Sequence, residues 1–131
     1  MNIEQIKSDL NMRDLHFTEC SVKRNAHIGS QKISIDISRD IAQHSENEYE
    51  VTVKVYIEEE NHDLEVLVVA KATFCIDCAD SHLAEKVIRT NTVAIMFPFI
   101  RSQISLLTTQ PNMAPIVLPP INTMRLDVSE E

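Results

Sequence analysis

Polar and apolar residues alternate in the first half of the chain, and the spacing changes after residue 80. Ile33, Ile35 and Ile37 interleave with Ser34, Asp36 and Ser38. A period of two is the mark of a strand with one buried face. Tyr49, Val51, Val53, Val55 and Ile57 alternate with Glu50, Thr52, Lys54 and Tyr56, and Leu64 to Ile76 forms a third, β-branched run. About five polar residues separate these last two runs, which predicts an antiparallel hairpin. Leu10 to Val22 is more loosely extended, with Leu15 and Phe17 on one face, and residues 2–8 form a helical turn or a frayed end. Residues 23–30 and 39–47 are expected to be polar connections. Glu58-Glu59-Glu60 is expected to be the solvated tip of the hairpin.

Beyond residue 80 the period is helical. Asp80 or Ser81 can cap a helix start. Leu83, Val87, Asn91, Ala94 and Ile95 then fall three or four apart, on one expected face. Pro98 is expected to interrupt this helix. A second piece, with Ile100, Ile104 and Leu107 in phase on the core, is expected to stop at Pro111. Residues 111–120 are rich in proline yet apolar, and 121–126 could form one more short helix. Strands first and helices last imply one α+β domain over residues 1–131, with an antiparallel sheet and C-terminal helices on one face.

Composition narrows the chemistry. Gly29 is the single glycine of the 131 residues, so neither a P-loop nor a Rossmann fingerprint is present. The chain also lacks a GxSxG elbow. Twenty acidic against twelve basic side chains leave a net charge of −8, which argues against a nucleic-acid partner. Apolar residues make up 44%, enough for a modest core. The opening residues carry an acid early and no apolar stretch, so no signal peptide is expected. The uncharged run from Ser102 to Met124 holds four prolines and makes a poor membrane span. An odd count of three cysteines fits a reducing cytoplasm. Cys75 and Cys78 form a CxxC that reads either as half of a zinc or redox site or as two small residues at a strand end. The five histidines show no metal-ligand spacing. No catalytic cluster, metal site or cofactor is expected.

The most unusual segment runs from Phe97 to Met124, which carries no charge between Arg101 and Arg125. Its prolines preclude a continuing helix or a central strand. Met113, Ile116, Val117 and Leu118 are therefore expected on a long loop, pinned to the core or lining an apolar groove. Exposed apolar grooves mark partner sites, and methionine suits surfaces that accept varied shapes. A small hydrolase or ligand binder, and a structural subunit using the segment as an interface, are the competing readings.

These residues carry a resemblance. Ile95-Met-Phe-Pro-Phe-Ile-Arg101 resembles the LFPYAR segment of the SecB protein-export chaperones. Leu106 to Val117, reading LLTTQPNMAPIV, resembles the helix end and crossover loop that follow it in that family. Tyr49-Glu-Val-Thr-Val and Arg13-Asp-Leu-His-Phe17 resemble two of its strands, and Phe74-Cys-Ile76 falls at the end of a third. The similarity covers roughly residues 12–126 in order. It implies a four-stranded antiparallel sheet, a long helix, a crossover loop and a second helix. It also implies a homotetrameric, ATP-independent chaperone that holds unfolded polypeptide in apolar grooves. The groove residues it implies are Phe97, Phe99, Met113, Ile116, Val117, Leu118 and Met124. Asp14, with Glu65 near the other relevant position, would contact a SecA-like motor. Leu67, Lys71 and Ala72 depart from the family pattern, and a role guarding the antitoxin of a toxin–antitoxin pair is the alternative.

Overall fold

The computed structural model describes residues 10–120 and the backbone of 128–130. The expected turn at 2–8, the expected helix at 121–126 and Met124 lie outside the described residues. Four long strands, β1 (Leu10–Arg24), β2 (Ile33–Ser45), β3 (Glu48–Glu59) and β4 (Leu64–Ile76), are followed by one helix, α1 (Ser81–Leu107). A three-residue strand, β5 (Val128–Glu130), completes a sheet of order β1-β4-β3-β2-β5. The four long strands pair antiparallel, and β5 joins the outer edge of β2 in parallel.

Alternation decides what each strand buries. On β4 every second residue from Leu64 to Ile76 is buried, and on β3 the same holds from Tyr49 to Glu59. β1 reaches the same end with two bulges. Its register slips by one residue between Arg13 and His16, and again between Phe17 and Glu19. Each slip inverts the phase of the strand. Leu10 and Met12, then Leu15 and Phe17, then Val22 all pack against the same core. Asp14 sits in the first bulge with a φ of 56°, a left-handed conformation that aspartate tolerates better than most residues.

Two boundaries differ from the sequence expectation. Residues 39–45 are strand, not connection: β2 pairs with β3 from Ile33↔Glu59 to Ser45↔Glu48, leaving a two-residue turn at Glu46-Asn47. These residues are polar because the far end of β2 is solvated, not because the chain leaves the sheet. The hairpin tip differs too. Glu59 is only 1% exposed, and its carboxylate accepts from the amides of Asn61 and Asp63, so it closes the turn from inside.

α1 begins at Asp80, whose carboxylate accepts from the amides of His82 and Leu83. It lies across β4, with flanks over β3 and β1. Pro98 does not divide it; the helix runs unbroken through all 27 residues. Pro98 and Ala94 are both exposed, so the carbonyl that the proline leaves without a donor faces solvent. The buried face is Ala84, Val87, Ile88, Thr92, Val93, Met96, Phe97, Ile100 and Ile104. It is rotated from the expected one: Ala94 and Ile95 are exposed and Asn91 is half-buried.

Candidate functional site

The last turn of α1 holds the loop that follows it. Thr108, fully buried, caps the helix and donates its hydroxyl to Ile104 O at 2.8 Å. The Thr108 hydroxyl oxygen in turn accepts from the amide of Ile116 at 2.8 Å. Ser105 donates to Ile116 O, also at 2.8 Å. Ile116 is thus gripped on both backbone groups, as a strand residue would be, in a stretch that belongs to no strand. Leu118, 3% exposed, is the apolar anchor two residues on. Between Pro111 and this anchor the chain arches outward. Arg24, at the end of β1, supports the arch by donating from Nη1 to Pro111 O at 3.2 Å.

Opposite the arch, the connection between β1 and β2 is tied to the β3–β4 hairpin. Asn25 donates to Asp63 Oδ1 at 2.7 Å, Gly29 N to Asp63 Oδ2 at 3.3 Å, and Ser30 to Glu60 at 3.0 Å. Gly29 has a local reason to be glycine. A Cβ there would stand 3.0 Å from Asn61 Nδ2 and 3.3 Å from Asp63 Oδ2.

The arch and this connection enclose an open cavity of about 710 Å³. Met113, Ile116 and Val117 line one side, and Ile28, Ile33 and Leu64 contribute apolar surface from the sheet end. Arg24, His27 and Glu59 place charge or polarity around it. The wall is therefore polar and apolar in about equal measure and open to solvent, a mixed groove that suits a peptide chain better than a reacting small molecule.

The expected groove residues divide. Met113, Ile116 and Val117 share the cavity, and Val117 is 74% exposed. Phe97 is 1% exposed and, like Leu118, belongs to the core. Phe99 is 48% exposed, on the outward side of α1. It shares that side with Ile95 and Leu106, four and seven residues away, also exposed. Ile33 and Ile28 were not picked out from sequence. Ile33 has the signature of an ordinary strand residue, and the polar connection at residues 25–32 gives no sign in sequence that it faces the arch.

Asp14 and Glu65 stand apart. The Asp14 bulge lies opposite Ala72 and Glu65 pairs with Lys23, so seven residues of β4 separate them, roughly 23 Å. Glu65 lies directly across from Glu58, and Tyr56 donates to it at 3.1 Å. That bond and burial push the Tyr56 phenol up to about 12, with burial the larger cause. Glu58 is in turn met by His62 Nδ1. Cys75 and Cys78 do not converge: Cys75 lies between buried Phe74 and Ile76 on the opposite side of β4, whereas Cys78 packs on the core and donates to Asp80 O. Among the described residues no three His, Cys, Asp or Glu side chains form a metal-holding group, and no helix is long and apolar enough to cross a membrane.

Comparison with known proteins adds lineage to this geometry. The family model described as preprotein translocase subunit SecB matches residues 5–128. Among solved structures, the fold is similar to the Mycobacterium tuberculosis Rv1957 SecB-like chaperone, in complex with a ChAD peptide from the Rv1956 HigA1 antitoxin. The TM-score is 0.66 at 13% identity, over 88% of this chain and 92% of that one. A protein of unknown function from Streptococcus agalactiae aligns with a TM-score of 0.52 at 11% identity, over 84% and 96% of the two chains. The uncharacterized protein MJ0357 of Methanocaldococcus jannaschii is 53% identical over 32 residues, which span 24% of this chain and only 21% of that protein.

Proposed function

Because the chain belongs to the SecB family, we propose that it is a holding chaperone: without ATP, it binds unfolded polypeptide and keeps it from folding or aggregating. The observation that carries this reading is the open cavity walled by Met113, Ile116, Val117 and Ile33. The apolar part of its wall is displayed by a loop that Ser105 and Thr108 hold at both backbone groups of Ile116. Binding then needs little ordering of the protein. Clients contribute many weak apolar contacts, which sum to a useful affinity. The net charge of −8 favours basic segments through long-range attraction.

The partners follow from the same reading. Clients are preproteins for export in the cytoplasm, and Asp14 and Glu65 are separate contacts for a SecA-like motor. The exposed stripe of Ile95, Phe99 and Leu106 supports self-association into the family's homotetramer. Of the seven expected client contacts, Met113, Ile116 and Val117 have the strongest support, Phe99 and Met124 remain proposals of the family resemblance, and Phe97 and Leu118 are buried in the core. A second reading, an antitoxin-dedicated chaperone, is favoured by the antitoxin peptide held by the similar Mycobacterium tuberculosis chaperone.

Light scattering tests the reading. A chemically unfolded, aggregation-prone protein is diluted into buffer without nucleotide, with the chaperone at a few-fold molar excess. Suppressed scattering is the expected result; an unchanged trace overturns it.

A further inference from the structure

We propose that Arg24 makes the cavity selective for client segments that carry an acid among apolar residues. Its guanidinium binds the glutamate or aspartate carboxylate, while the flanking apolar side chains pack on Met113, Ile116 and Val117. This rests on the holding-chaperone reading and names the class of segment that the cavity selects.

Three observations lead to it. The first is position. Arg24 ends β1 directly opposite Leu64, and residues so paired share a face of the sheet. Its side chain therefore stands on the core side with buried Leu64, and both line the cavity. The second is bonding. Arg24 donates from Nη1 to Pro111 O and from Nε to Asn25 O, both of them neutral carbonyls. Among the described residues no carboxylate pairs with it, although Arg13, Lys71 and Arg89 each meet a glutamate. A half-buried guanidinium with N–H groups to spare is matched best by a carboxylate, which it can take on two prongs. The third is sign. The titratable residues lining the cavity are Arg24, His27 and Glu59. Glu59 is turned away, because its carboxylate is 1% exposed and engaged by the amides of Asn61 and Asp63. The accessible charge on the wall is thus cationic, in a protein of net charge −8. His27, exposed on the same wall, adds a ring donor. Long-range attraction and local recognition therefore differ: the overall charge draws in basic stretches, and the cavity reads an acid.

The test titrates the full chain with two short fluorescent peptides of leucine, valine and serine that differ only in a central glutamate or glutamine. For the wild type at low salt, the glutamate peptide binds about threefold or more tightly than the glutamine peptide. The protein's overall charge works against the glutamate peptide, so this preference reports the cavity. Salt of about 1 M narrows it. Arg24→Gln abolishes the preference, and Arg24→Lys, which keeps the charge but not the fork, restores part of it. The ratio between the two peptides is the readout, because loss of the bond to Pro111 O alone would weaken both equally. Absence of the preference in the wild type, or its survival unchanged in Arg24→Gln, overturns the inference. If the wild type suppresses aggregation of an unfolded protein but shows no preference for the glutamate peptide, only this inference fails. If it binds neither peptide and leaves aggregation unchanged, the chaperone reading fails with it.

Discussion

The amide of Ile116 donates to the Thr108 hydroxyl at 2.8 Å, and that hydroxyl donates in turn to Ile104 O. One side chain, fully buried, thus ends α1 and fixes the loop that forms the cavity wall. Thr108→Val keeps the shape but leaves the Ile116 amide and its surroundings without a partner. The expected cost is about 1–3 kcal/mol, read as a lower urea midpoint with an unchanged slope. Thr108→Ser keeps the hydroxyl and stays within about 1 kcal/mol of wild type. Equal losses for the two variants would show that the methyl group, not the hydroxyl, matters.

Val117 and Phe97 separate binding from stability. Val117 is largely exposed, so Val117→Asp changes stability by no more than about 0.5 kcal/mol. It puts charge on the apolar wall, and the affinity for an unfolded client is expected to fall about tenfold, close to 1.4 kcal/mol. Phe97 is in the core, so Phe97→Ala costs about 3–5 kcal/mol. Paired denaturation and binding titrations check both. A Val117→Asp variant that binds clients as wild type does would remove Val117 from the site.

Tyr56 reports on the face of the sheet that carries Glu65. Its phenol is pushed up to about 12, first by burial and then by the bond to Glu65; burial also raises Tyr49, with Glu85 and Cys78 adding to it. A phenol held protonated in the fold stabilises the protein below the unfolded value near 10. That contribution fades as pH rises through the folded value. An absorbance titration should therefore find Tyr56 ionising well above pH 10 while the protein is folded, and Tyr49 shifted in the same direction. Tyr56→Phe should flatten the loss of stability between pH 10 and about 12. A phenolate signal at the ordinary value would contradict the Tyr56–Glu65 contact.

Strand periodicity was the most legible feature of this chain, because β3 and β4 bury one face along their whole length and so alternate without interruption. β2 was legible only to Ser38, since its far half is solvated and carries no apolar signal. The bulges of β1 hid its phase, for each inverts the alternation that would reveal it. Pro98 read as a break, but the helix continues through it with Pro98 and Ala94 on the exposed side, where water can replace the lost bond. The greasy loop was visible in Pro111 to Leu118 because prolines separated it from the helix. Its binding wall was half visible: Ile33 and Ile28 come from elements that only the fold brings to Ile116. Glu59 was hidden by its acidic neighbours, since a run of three glutamates says nothing about which one turns inward.

The central claim is that unfolded polypeptide enters the cavity between the arch and the end of the sheet. Methyl NMR on protein labelled at methionine, isoleucine and valine tests it most directly, by titrating an unfolded client without nucleotide. The account predicts that Met113, Ile116, Val117 and Ile33 shift or broaden as client is added, while Ile76, buried near the start of α1, stays in place. Perturbations absent from those four residues, or confined to other surfaces, would contradict it.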